Sequence, residues 1–333
     1  MAKIRAKIRL DRRALLRGAG AVAVSAPFIG TARAANYPDR TVRIIVPFAA
    51  GGPSDITARL MSVKLQEALG QSFVVENRAG AGSNLGTLAV ARSTPDGYTL
   101  LVVSSAFVVN PTLYKNVPFD AVKDFAPICE LDTSPNVFVA TNASGITSIK
   151  QMIERAKAKP DELLYASAGI GTTPHLATEL LKLIEGAIIT HVPYGGSGPA
   201  TQAILAGTVP LMCGSLPGLH GAIKNGQVRA LAVTGLTRWF DMPEVPTMIE
   251  LGYKDFIVDT FHCMQAPAGT PPEIIEKLAS TCIAALKEPT FRDKLRSAGF
   301  ETIGNGPDGL RRRIATDIAR YKTIIEKAGI ERV

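Results

Sequence analysis

The chain of 333 residues is poor in the side chains that most often carry chemistry or stack against a ligand. One Trp and 6% aromatic content suit a small polar ligand better than a sugar held between rings. The four histidines, His175, His191, His220 and His262, show no H-x-x-x-H spacing and no adjacent carboxylate, which argues against a paired metal-ligand set. The four cysteines, Cys129, Cys213, Cys263 and Cys282, lie 84, 50 and 19 residues apart with no C-x-x-C pair. They read as buried small hydrophobes, with one disulfide left open in an oxidising compartment. No apolar run reaches the roughly 20 residues of a spanning helix. Disorder is excluded by a hydrophobic content of 46% against 20% charge.

The formal charge of +8 does not mark a polyanion partner. Eight of the 37 Lys and Arg, but one of the 29 acids, fall in residues 1–34, so the remainder is nearly balanced. Nucleic acid is therefore not an expected partner. Residues 1–34 read as an export signal: a basic stretch with Arg12-Arg13 followed by Leu15-Leu16, an apolar run from Gly18 to Gly30, and Ala32-Arg33-Ala34 as the cleavage region. The paired arginines resemble the twin-arginine export motif. The mature protein is then expected to begin near Ala35, to be soluble outside the cytoplasm and not to insert into the membrane.

From Thr41 onward short apolar runs alternate with helical stretches, the pattern of a parallel sheet covered on both faces. Strands are expected at 42–47, 73–76 and 99–104, with helices at 55–69 and 84–92, as in half of a doubly wound sheet. Short strands at 128–131 and 136–141 lead to a second unit. It has helices at 149–157, 174–184, 199–206 and 219–224, and strands at 164–167, 190–193, 209–213 and 229–233. A strand at 258–265 returns to the first unit, which helices at 272–286, 290–297 and 308–328 complete. The division expected is 35–138 plus 262–333 for the first domain and 139–261 for the second, with a cleft between them.

Ligands of open α/β sheets bind beyond the carboxyl ends of the strands. Four such ends are rich in small residues: 47–55, 104–106, 167–173 and 193–198. Glycines there let a ligand approach the backbone, and helix starts offer unpaired N–H groups, so an anion can be held without Arg or Lys. Ser54 and Asp55 are expected to cap the first helix, with Asp55 also touching ligand. Tyr194 follows a strand and is expected to present a hydroxyl to the cleft, the alternative being a rim tyrosine packed on Pro193. His175 falls in a first helical turn beside the cleft as a packing residue, and His191 in a strand.

Competing chemistries fail on their motifs. In Gly80-Ala81-Gly82-Ser83-Asn84-Leu85-Gly86 a dinucleotide fingerprint would need glycine where Leu85 stands, and the segment follows the wrong strand. The loop 47–55 lacks the Gly-Lys-Ser/Thr ending of a P-loop. A nucleophile elbow at Gly195-Gly196-Ser197-Gly198 would need glycine in place of Pro199, which instead opens a helix. No catalytic residues, metal or cofactor are expected.

Several ordered segments resemble the Bug family, the periplasmic solute-binding proteins of tripartite tricarboxylate transporters. They are Pro38-Asp39-Arg40, Pro47 to Asp55, Val75 to Gly82, Pro95 to Leu100, Ser167 to Gly171 with His175, Val192 to Gly196, Val228 to Thr234, Pro246-Thr247 and Pro267 to Pro271. The resemblance spans the mature chain. It implies an α/β, two-domain Venus-flytrap periplasmic-binding-protein fold, each domain a mostly parallel sheet flanked by helices. It further implies a monomer that captures a small organic acid anion, with the membrane subunits of the transporter as partner. The ligand residues it implies, together with the strand-end argument, are Phe48, Ala50, Gly52, Ser54, Asp55, Ser105, Ala106, Ser167, Gly169, Gly171, Thr172, Thr173, Tyr194, Gly195 and Ser197. The alternatives are a ligand sensor with the same pocket and an exported enzyme acting on an organic acid, for which no nucleophile and base pair is found. The chain departs from the family at Ala203, where an acid is frequent, and at Phe261-His262, where Trp is frequent.

Overall fold

A computed structural model describes residues 37–254, 256–327 and 329–333. The expected export signal at 1–34 lies outside the described residues. Among those residues no helix is long and apolar enough to cross a membrane.

Ten strands form one curled sheet in the order β2-β1-β3-β9-β4-β7-β5-β6, with β10 and β8 also pairing on β4. On one side lie β1 (Val42–Val46), β2 (Phe73–Asn77) and β3 (Thr99–Ser104), mutually parallel. On the other lie β5 (Leu164–Ser167), β6 (Thr190–Pro193) and β7 (Leu211–Ser215), again parallel. Two long antiparallel strands, β4 (Phe125–Thr141) and β9 (Asp259–Pro267), join them. β8 (Val228–Val233) and β10 (Glu301–Asn305) complete the sheet.

The two short strands expected at 128–131 and 136–141 are thus one strand of 17 residues. It pairs with β9 as far as Pro135, and from Asn136 with β7 and β8. Pro135 sits where the strand changes partners, so its missing N–H removes little from either ladder. β10 and a helix at Ala106–Leu113 were not expected. That helix is buried nearly all round and encloses Pro111, so it carries no amphipathic period.

Each of the six parallel strands is followed by a helix, α1 (Pro53–Leu69), α2 (Asn84–Ala91), α3 (Ala106–Leu113), α5 (Thr173–Glu185), α6 (Ser197–Leu205) and α7 (Leu216–Lys224), while α4 (Ile149–Ala158) follows the long strand β4. The C-terminal helices α8 (Pro272–Lys287), α9 (Pro289–Ser297) and α10 (Pro307–Lys327) pack with the first half. β3 is buried at every position, as a strand covered on both faces must be. The second half has its own core, including Val137, Val139, Ala166, Ile204, Met212, Leu219 and Met242. All four cysteines are free and buried.

Candidate functional site

The strand ends converge on a small, partly open cavity. It is lined by Phe48, Gly52, Pro53, Ser54, Ser104, Ala168, Thr172, Thr173, Pro174, Ser197, Ser215, Thr260 and His262. Among the described residues no Lys, Arg, Asp or Glu lines it. Helices α1, α5, α6 and α7 all start on this lining, and their N-cap residues Gly52, Thr172, Gly196 and Ser215 make no side-chain cap hydrogen bond. Each helix start carries roughly half a positive charge and main-chain donors without helical partners. Four uncapped starts around one space therefore make a positive, donor-rich site without a Lys or Arg side chain.

The loop after β1 is held by Asp55, which is the third residue of α1 rather than its cap. Its Oδ2 accepts from the Gly51 N–H at 3.0 Å and from Arg59 Nε at 2.9 Å, and its Oδ1 from Asn77 Nδ2 at 3.0 Å. Asn77 also donates to the Phe48 carbonyl at 3.1 Å. Burial alone would raise the Asp55 carboxyl, but the hydrogen bonds from Arg59, Gly51 and Asn77 outweigh it and hold it below the ordinary carboxylate range. Asp55 shapes the loop and does not line the cavity.

Across the cleft, Ser167 Oγ accepts from the Gly169 N–H at 3.1 Å and lies 2.7 Å from His191 Nε2. Thr172 Oγ1 donates to the Gly169 carbonyl at 2.8 Å. Behind this turn His191 stacks between Tyr165 and His175, with ring centroids 4.7 and 4.5 Å apart. Burial lowers the His175 imidazole to about 4. Burial, then His175 and Lys182, lower His191 to about 3. Both rings are neutral near pH 7 and serve as packing beneath the loop.

Where β4 changes partners, Thr173 hydrogen-bonds Thr260, and Thr260 donates to Asn136 Oδ1 at 2.9 Å. Asn136 in turn donates to the Val258 carbonyl at 2.7 Å. This chain links the start of α5 to both long strands.

Of the residues expected from sequence, the cavity takes in Phe48, Gly52, Ser54, Thr172, Thr173 and Ser197. Gly169, Tyr194 and Gly195 line an adjoining cavity of about 590 Å³, with Phe48 and Ala168 shared. Ala50, Asp55, Ser105, Ala106, Ser167 and Gly171 line neither. Ser105 is fully buried, its Oγ accepting from the Phe261 N–H at 2.8 Å. The cavity adds Ser104, Ser215, Thr260 and His262, which sequence reasoning missed. A shared register row is the only signal that relates Ser104 to His262, and it requires the pairing of β3 with β9. Among the described residues no group of three or more His, Cys, Asp or Glu could hold a metal.

Comparison with known proteins follows the same lines. A family model described as "Tripartite tricarboxylate transporter family receptor" (TctC) matches residues 57–330. Protein BugT of Bordetella pertussis is 37% identical over 316 residues, covering 92% of this chain and 97% of BugT. The structure of the periplasmic binding protein BugD superposes with a TM-score of 0.85 at 37% identity, over 89% of this chain and 99% of that one. R. palustris Rpa4515 with adipate gives a TM-score of 0.86 at 35% identity, again over 89% and 99%.

Proposed function

The chain belongs to the tripartite tricarboxylate transporter receptor family, a family of solute-binding receptors rather than enzymes, and we propose that its solute is a small organic carboxylate. The carboxylate is captured between the two halves of the sheet and released unchanged to the membrane subunits of a transporter. One observation carries this reading: four uncapped helix starts surround a cavity that, among the described residues, no Lys or Arg lines. Adipate held by the structurally similar Rpa4515 supports the class of ligand.

Main-chain donors suit capture followed by release. A Kd near 1 μM needs only about 8 kcal/mol, which a few charge-assisted hydrogen bonds of roughly 1.5–3 kcal/mol each supply. In this reading residues 1–34 are an export signal, and the mature protein acts as a periplasmic monomer. Its domains are 35–138 plus 262–333 and 139–261, and the site comprises the cavity residues together with Tyr194 and Gly195.

A thermal-shift screen of mono-, di- and tricarboxylates, aromatic acids and amino acids tests the proposal. A cognate acid at about 100 times Kd adds ~2.7 kcal/mol, or several degrees in Tm. A screen in which no acid shifts the transition, or one in which mass spectrometry finds the acid chemically altered, would refute it.

A further inference from the structure

Among the described residues the cavity wall contains one titratable side chain, His262, and its surroundings specify more than packing. His262 is 1% exposed, and its Nδ1 lies 2.6 Å from Asp132 Oδ1. Asp132 is fully buried, and its other oxygen accepts from Thr57 Oγ1 at 2.7 Å. Thr57 belongs to α1, the helix whose start faces the same cavity. Phe300 packs edge-on against the imidazole at 5.8 Å and fixes its plane. The remaining ring nitrogen, Nε2, is buried without a hydrogen-bond partner, on a residue that lines the cavity.

Proton counting decides what Nε2 offers. The Nδ1–Oδ1 contact holds one proton, whichever atom carries it. If Nε2 carries a second, the pair is neutral; if it does not, the pair is a net anion at a fully buried position. Among the described residues Asp132 has no other ion-pair partner. An uncompensated buried charge is costly, and an anionic solute beside it raises that cost. A bound carboxylate presents acceptors only, so it pairs with this partnerless nitrogen as Nε2–H.

We propose that His262, positioned by Asp132 and Thr57, is a solute-binding residue whose Nε2–H donates to an oxygen of the bound acid, and that it rejects solutes bringing an ammonium group to that position. The inference rests on the carboxylate reading above and deepens it. Ser104 and Asp132 are the register partners of His262 on β3 and β4, so the three lie in one row across the sheet. His262 Nε2 makes no hydrogen bond to Ser104, so the row assembles a recognition group and not an activated hydroxyl.

The test is calorimetric titration of the full mature chain with adipate, hexanoate and 6-aminohexanoate, repeated on His262→Leu and His262→Gln. Adipate is expected to bind the unaltered protein at least tenfold more tightly than 6-aminohexanoate. His262→Leu is expected to raise the Kd of the tightest-binding acid at least tenfold, with His262→Gln, which keeps an N–H donor, recovering part of the loss. In parallel, the unaltered protein labelled with 15N-histidine is titrated with the same acid, and the Nε2 resonance of one ring should move at saturation. This measurement stands even if His262→Leu, which leaves Asp132 unpaired, fails to fold. A loss below tenfold in a folded His262→Leu, no moving histidine resonance, or equal binding of 6-aminohexanoate would overturn the proposal while leaving the carboxylate reading intact. No binding of any acid by the unaltered protein would overturn both.

Discussion

At the residue scale, the buried histidines of the second half make stability depend on pH. His175 and His191 are lowered to about 4 and about 3, whereas each titrates near 6.5 when unfolded. Below that unfolded value the denatured chain binds protons that the native one refuses, so stability is full above about pH 6.5 and falls as the pH drops toward the folded values. Each ring contributes a slope of up to about 1.4 kcal/mol per pH unit. Urea unfolding measured between pH 8 and pH 4.5 is expected to show this decline. His191→Asn should give a shallower one, together with a loss of about 1 kcal/mol at pH 8 where the contact with Ser167 is weakened. A variant with an unchanged slope would show that the titrating groups lie elsewhere. Which individual residues face the cavity was only half legible from sequence. β3 and β9 are buried on nearly every residue, so no alternation of apolar and polar positions tells Ser104 from Ser105 or marks His262 as facing the cavity.

At the scale of elements, the helices that line the site were legible because small residues or proline stand at or beside each start after an apolar strand, even where the first turn falls one to three residues from expectation. α6 starts at Ser197, two residues ahead of the expected Pro199. α3 was not legible, since burial on all sides erases the 3.6-residue period, and β4 was read as two strands because Pro135 and the polar residues before it interrupt the apolar run. The uncapped starts yield a test that separates binding from stability. Ser215 is the N-cap of α7, lines the cavity and makes no cap hydrogen bond. In Ser215→Asp a resident carboxylate would occupy that helix start, a change that helix capping makes neutral or favourable for folding. Unfolding free energy without solute should stay within about 1 kcal/mol of the parent, while affinity for the cognate acid, followed by calorimetry, falls at least tenfold. Equal affinity in the two proteins would remove α7 from the site.

At the scale of the whole molecule, the two halves meet closely where the loop after β1 touches the start of α6. A Cβ on Gly198 would lie 2.9 Å from the Ala50 carbonyl oxygen, and one on Gly196 would lie 3.3 Å from the Ala49 nitrogen. Only residues without a side chain permit this approach. Gly198→Val is therefore expected to hold the halves apart. Small-angle scattering should show a radius of gyration that contracts on adding solute for the parent and stays expanded for the variant, with weakened binding. Contraction of both would mean that Gly198 does not gate closure.

The passage of β4 through both halves without a break has a consequence for affinity itself. A backbone ribbon that keeps its ladders while flexing acts as a leaf spring, and Asn136, which bonds across it to the Val258 carbonyl, is not among the residues that line the cavity. Because apparent affinity scales with the fraction of molecules already in the competent form, loosening this pivot retunes uptake while every contacting atom stays the same. Substitution of Asn136 is therefore expected to shift apparent affinity with the cavity lining unchanged.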